Sequence, residues 1–416
     1  MQQRLNLCLE GDAKFLFQQP LLQGGLGFCP PANAAPYAFL AGFAATCLAF
    51  KASNYIRDKK GCKEGWLLNE FENCLSRHVR PFKLDWPEEK ALANFHAFAT
   101  HFGDTDKRKR SDYLQGRLIG TFQTHQRAEL KKTLQPETVS RMESRANRNS
   151  ALIWKAYPLT QDFALTDEEM RFSVAYATGQ RLPHMPERCS CARETPLTME
   201  HTVNCAEKLT RHNMIQDRFV AFARIHNVTT KLTPRLSFQD AKERLIPDII
   251  FYPGTHAPVQ TDVSVINSCA PYILGHSSQG HKWATKRRKA EKNKKYRAKA
   301  VAQGDMFRPL VFETHGKMAE EVKTTLDMLA SRTTMSRGLA TADMRLDLAI
   351  TLARGNAVAA KTTIGRAQFA RDSNRATHQM SANNSRRSNN RSRAASAAAA
   401  TTCSSSSSSS GGGRKN

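Results

Sequence analysis

A carboxylate set inside a β-branched run constrains this chain more than any other feature: Asp262 stands in Thr261-Asp262-Val263-Ser264-Val265-Ile266. The run reads as a strand, which places the acid on a rigid element. Asp248, fourteen residues earlier, follows Pro247 and opens a second apolar stretch, Ile249 to Tyr252. Two carboxylates at neighbouring strand ends suit Mg²⁺, which takes hard oxygen ligands and activates water against a phosphodiester. That is the arrangement of a metal-dependent nuclease core. Pro-Asp is also a common turn, so the pair decides little by itself.

The neighbourhood adds weight. Cys189, Cys191, His201 and Cys205 put three thiols and one imidazole within seventeen residues. Thiolate and imidazole suit a borderline-soft ion of tetrahedral preference, so the group reads as a closed, structural zinc site of the Cys₃His type. Zinc would then fold this stretch. The single residue between Cys189 and Cys191 is tighter than usual, and the alternative is a pair of unrelated thiols.

Arg211-His212-Asn213 opens a segment whose apolar residues Ile215, Phe219, Phe222 and Ala223 recur at helical spacing. The triplet either contacts DNA near the active centre or merely starts a helix. Downstream, basic residues from Lys286 to Lys299, among them Lys292 and Lys295, crowd a second helical stretch that contains Tyr296. Most fit phosphate contacts on a solvated face; one lysine can serve in catalysis. Trp283 and Tyr296 either stack bases or anchor the helix to the core.

In this order the features resemble the C-terminal part of site-specific non-LTR retrotransposon proteins that carry a restriction-like endonuclease. The resemblance begins at Gly24-Gly25-Leu26-Gly27-Phe28 and runs through the Cys/His knuckle, Arg211-His212-Asn213, Pro247-Asp248, Asp262-Val263-Ser264-Val265, Lys292-x-x-Lys295-Tyr296 and Phe307 to Glu313. It implies a PD-(D/E)-x-K nuclease in which Asp248 and Asp262 hold catalytic magnesium. Ser264 stands where that pattern usually has lysine, so Lys292 or Lys295 on the following helix becomes the candidate. Arg211, His212, Asn213 and Tyr296 would meet nucleic acid, and Cys189, Cys191, His201 and Cys205 would hold zinc. Glu313 is a further acid or a surface residue at a strand end. The expected task is nicking target DNA to prime reverse transcription in the nucleus, with element RNA and a polymerase-bearing chain as further partners. No Tyr-x-Asp-Asp occurs, so the chain is not expected to copy RNA itself. The alternative is a catalytically inactive remnant that binds nucleic acid through its knuckle and basic helices.

Composition agrees with a polyanion partner: 62 Lys+Arg against 37 Asp+Glu leave a net charge of +25, which attracts nucleic acid and makes binding salt-dependent. Ten scattered cysteines in 416 residues form no disulfide framework and point to a reducing compartment. The uncharged stretch from Phe15 to Phe50 is broken by Gln, Gly and Pro, so no membrane span is expected. The expected architecture is a mostly α-helical region over 1–180, a zinc knuckle over 181–208 and an α/β nuclease core over 209–335. That core is a small mixed sheet flanked by helices. A possible terminal helix follows over 336–354. From Gly355 the chain turns to Ala, Ser, Asn, Thr and Arg, and 355–416 reads as a basic, low-complexity, disordered tail. Between Asp262 and the lysines, Pro271, Gly275, Ser277, Ser278 and Gly280 read as a long loop, and Glu88 to Phe102 as a helix.

Overall fold

The computed structural model describes residues 11–19, 21, 26, 35–41, 73–74, 76–77, 114–155, 163–191, 195–205, 208–232, 247–254, 256–278, 283–332 and 336–403. The helix read over 88–102, most of the Gly24–Phe28 segment and the tail beyond 403 lie outside these. The elements run α1 (Gly11–Gln18), α2 (Leu114–Thr133), α3 (Pro136–Arg145), α4 (Leu152–Lys155), α5 (Asp167–Thr178), α6 (Met199–Cys205) and α7 (Lys208–Ile225). The sheet and its helices follow as β1 (Thr229–Leu232), β2 (Ile249–Tyr252), β3 (Val259–Ile266), α8 (Pro271–Ser277), α9 (Trp283–Ala302), β4 (Met306–Glu313), α10 (Glu320–Ala330) and α11 (Arg337–Cys403). The chain is mixed α/β. No described helix is long and apolar enough to cross a membrane.

The four strands lie in sequence order. β1 and β2 pair antiparallel, as do β2 and β3, whereas β3 and β4 are parallel. A parallel pair needs a crossover, and α8 and α9 supply it. Period-two alternation then sorts the side chains of β3. Val259 and Val263 face a core formed with Phe219, Phe251, Phe312, Leu326 and Leu348. Gln260, Asp262, Ser264 and Ile266 face the other way: Gln260 bonds Gln303 and Asp305 just past α9, and Ile266 joins Ile273 of α8 and Ala284 of α9. The polar half of the strand is therefore the half covered by the basic helix. Its register sets Asp262 opposite Pro309 of β4.

α7 supplies the opposite layer. Ile215, Phe219, Phe222 and Ala223 are all buried, and the Phe219 ring meets Phe222, Phe251 and Phe312 edge-on. This is the helix that the apolar spacing predicts. It begins at Lys208, so Arg211 lies a turn inside it rather than at its start.

The expected tail is the main correction. α11 continues through Gly355, and Asn356, Ala357, Ala359, Ala360, Thr363 and Ala367 are buried against α5, α6 and α7. In the part of this composition that packs, Ala supplies helix propensity, and Ala, Asn and Thr are small enough to let helices approach closely. Alanine offers little area per residue but no obstruction. At about 1.5 Å per residue, α11 is roughly 100 Å long.

Gly355 marks the closest approach. A Cβ there would lie 2.8 Å from Cγ of Arg211 and 3.2 Å from its Cα. Gly355→Ala is thus expected to push α11 off α7 and cost about 1–3 kcal/mol, the range for overpacked cores. Urea denaturation of the two proteins measures it; an unchanged midpoint would mean that the helices part freely.

The long loop expected between Asp262 and the lysines is also replaced in part. Pro271 sits in the first turn of α8, where its missing N–H costs nothing.

Candidate functional site

Three polar centres, each partly or wholly buried, stand out among the described residues. The first is the Cys/His group. Cys189 and Cys191 lie in the loop closed by a bridge between Arg188 and Pro196, and α6 carries His201 and Cys205 one helical turn apart on one face. The sulfurs of Cys189 and Cys205 are 3.6 Å apart, and Cys191 Sγ lies 3.8 Å from His201 Nε2. All four ligand atoms fall within 4.8 Å of one another. Metal–sulfur bonds of about 2.3 Å in a tetrahedron separate sulfurs by about 3.8 Å, so the group has the size a metal ion requires. Burial, then the hydrogen bond and charge of Cys189, push the Cys205 thiol up to about 12.

The second centre was not legible beforehand. Glu200, between His201 and the body of the protein, accepts from Arg141 Nε at 3.2 Å and from Tyr176 Oη at 3.0 Å, and lies 3.3 Å from His315 Nε2. Cys269 is 3.7 Å from the same His315 nitrogen. Burial opposes a charge on Glu200, but His315, Arg141 and Tyr176 outweigh it and hold the carboxyl down at about 2. This network ties α3, α5 and α6 to the end of β4. Residues 136–145, read as part of a linker, therefore pack on the sheet: Ser140 also donates to the Ser268 carbonyl at 2.8 Å.

The third centre holds the two aspartates. Asp248 enters β2, its N–H bonding the Thr261 carbonyl at 2.8 Å. Its Oδ2 accepts from Val263 N–H at 2.7 Å and lies 2.9 Å from His212 Nε2. Burial opposes a charge on His212, yet the hydrogen bond and charge of Asp248 raise its pKa above the ordinary value. Asp262, 4% exposed, forms an ion pair with Lys292 Nζ at 2.6 Å and lies near the Tyr296 hydroxyl. Lys292 and Tyr296 stand one turn apart on α9, so a single helical face meets the acid. Burial raises the Asp262 pKa and nearby Asp248 raises it further, against the pull of Lys292. A divalent cation bound by the two carboxylates would offset the burial and the negative neighbour that weigh on Asp262.

The sequence candidates divide accordingly. Asp248, Asp262, Lys292 and His212 come together. Lys295 does not: it is exposed and lies 5.1 Å over the outer side of the Tyr296 ring. Tyr296 is 6% exposed and stacked on Phe307, so it anchors α9 and cannot receive a base. Arg211 turns inward, 2% exposed, donating to the Val203 carbonyl at 3.2 Å and to Asn356 at 2.7 Å; it is a structural clamp between α6, α7 and α11 rather than a DNA contact. Asn213 is half-buried, 3.4 Å from the His212 ring. Glu313 is no surface acid: at 1% exposure it accepts from Ser144 and from the hydroxyl and N–H of Thr285, and Lys317 lies 3.4 Å away. It pins the start of α9 to the end of β4.

A cavity of about 860 Å³ touches His201 of the Cys/His group, Glu200 and Cys269 of the second centre, and His212 of the third, while neither aspartate lines it. Its walls include Glu200 and His201 at one end, His212 and Ser264 in the middle, and Tyr272 and Arg288 at the mouth. Ser264, two residues beyond Asp262 on the same face of β3, lines the space where a longer side chain would reach across it. No protein-family model and no curated protein matches the chain.

Proposed function

We propose that the chain is a metal-dependent DNA endonuclease whose Asp248 and Asp262 hold Mg²⁺, with the Cys/His group holding structural zinc. The observation that carries this reading is the convergence of two carboxylates from adjacent strands with a lysine from the crossover helix. Bound Mg²⁺ would supply a water of lowered pKa and charge to offset that of the phosphate. Asp248 is oriented by His212 and by the Val263 N–H, so its carboxylate is held in one geometry before a cation arrives. Lys292 neutralises Asp262 at rest and is placed to point at the phosphate or the attacking water once the acid is engaged elsewhere. Ser264, too short to reach that position, is consistent with the lysine coming from α9.

The similarity in order of motifs to non-LTR retrotransposon proteins supports a role in nicking target DNA before reverse transcription, in the nucleus and beside a polymerase-bearing chain and element RNA. A zinc ion among three cysteines and a histidine is the ordinary structural choice. Nicking of supercoiled plasmid by the full chain with Mg²⁺ or Mn²⁺, beside Asp262→Ala and an EDTA control, tests the reading. Metal-dependent nicking that disappears in the variant is expected. Salt-sensitive DNA binding without any nicking would instead make the chain a binding remnant.

A further inference from the structure

The mouth of the cavity carries a surface that the acid centre does not explain. α8 presents Tyr272 and His276 outward while Ile273, fully buried, anchors the helix. His276 stacks on Trp283 at 4.5 Å between ring centres, nearly parallel at 14°. The Arg287 guanidinium lies 5.2 Å from the Trp283 ring and 5.6 Å from that of Tyr272. Arg287 and its neighbour Arg288 are both steadied by Glu291, each at 3.0 Å. Tyr272 remains 61% exposed at the end of this stack. Ile273 already provides the anchor, so fixing α8 to α9 needs no exposed tyrosine.

The surroundings are cationic. Lys286, Arg287, Lys294, Lys295, Arg297 and Lys299 are exposed on α9, and Glu291 is the only acid on that helix. Aromatic faces interleaved with cations suit nucleic acid in which bases are unpaired, because bases in a duplex already stack on each other. Tyr272 and Arg288 line the same cavity as Val263, Ser264 and His212; neither aspartate lines it, but His212 bonds Asp248, and Val263 follows Asp262 in the strand.

We propose that Tyr272, backed by Arg287, Trp283 and His276, is a stacking platform for an unpaired base of single-stranded DNA whose backbone lies in the groove leading to the acids. The inference rests on the nuclease reading for what stands at the end of that groove. The strand would lay its phosphates along Arg287 and Arg288 and one base on the tyrosine ring. A nuclease so equipped prefers DNA opened next to the scissile bond.

Fluorescence anisotropy of the full chain with labelled oligo(dT), with a duplex of equal length and with oligo(U), all in EDTA, reads the platform with metal-dependent cleavage silenced. Tyr272→Ala is expected to weaken oligo(dT) binding about tenfold, the low-to-middle range for removing one stacked base. Tyr272→Phe should bind as the parent does, and duplex affinity should stay within about twofold in both variants. Unchanged oligo(dT) affinity in Tyr272→Ala, or an equal loss on duplex, would overturn the proposal; tighter, Tyr272-dependent binding of oligo(U) would overturn its assignment to DNA. A chain that binds oligo(dT) through Tyr272 yet never nicks keeps the platform and loses the nuclease. One that nicks but binds without regard to Tyr272 does the reverse.

Discussion

Cys205→Ser is expected to abolish stoichiometric binding of one zinc ion by the Cys/His group and to lower the melting temperature of the chain by roughly 10 °C. Several links lead to that figure. A closed tetrahedral site loses most of its affinity with one ligand gone, and the sulfurs must shed protons to bind, so crowding alone cannot hold them together. Without the ion, the loop from Cys189 to Cys191 is joined to α6 by the short bridge at Arg188 and Pro196 and by packing of Leu197, Met199 and Val203. That cluster also contains Phe172, Tyr176, Ala357 and Ala360, so loosening α6 releases the middle of α11. A site filled at a thousandfold over its dissociation constant contributes about 4 kcal/mol, and each kcal/mol moves the midpoint by about 2–4 °C for a core of 150–250 residues.

Chelation should reproduce the effect in the parent chain. The measurement is zinc released to a chromophoric chelator per mole of protein, alongside thermal unfolding with and without EDTA. Protein that carries no metal as purified and melts identically in chelator would show that the four residues are held by packing alone. A parent that responds to EDTA while Cys205→Ser keeps its zinc would place the ion at another set of cysteines.

How much of this was legible beforehand depends on how far a side chain's role is set by its neighbours in sequence. β2 and β3 are runs of β-branched and aromatic residues, and their reading needs only period two. The Cys/His group is legible because its four residues all come from one short segment. The buried roles of Arg211 and Glu313 are hidden from the sequence for the opposite reason. Each is a charged residue buried by partners more than a hundred residues away, Asn356 for the first and Ser144 for the second. Nothing in their local context distinguishes them from surface charges. The helical course of α11 was missed because alanine, asparagine and threonine were weighed by the area they bury, whereas their contribution here is close approach to α6 and α7. Tyr296 was open to either role until the rotation of α9 about its axis was fixed.

That rotation also decides between the two lysines, and it predicts a large difference between them. Lys292→Met is expected to slow single-turnover nicking at saturating DNA by about 100- to 1,000-fold, the cost of removing one group aimed at developing charge. Lys295→Met should leave that rate within about threefold and act on affinity instead, reducing the salt dependence of binding by about one phosphate contact. The asymmetry follows from geometry: Lys292 Nζ reaches Asp262 at 2.6 Å with only a fifth of its side chain exposed, whereas Lys295 lies outside the Tyr296 ring. Losing Lys292 also strands a buried carboxylate, which breaks an ion pair at a cost of about 3–5 kcal/mol. A slow variant could then be merely an unfolded one. Thermal unfolding and circular dichroism of Lys292→Met at the assay temperature separate the two causes, and Asp262→Asn combined with Lys292→Met, which removes both charges, should recover most of that stability and so confirm where the loss came from. A Lys292→Met chain that is folded and nicks at the parental rate would sink the assignment. The effect falling on Lys295→Met instead would mean that α9 rotates by about 60° and slides by about 4.5 Å against β3 when DNA and metal are bound.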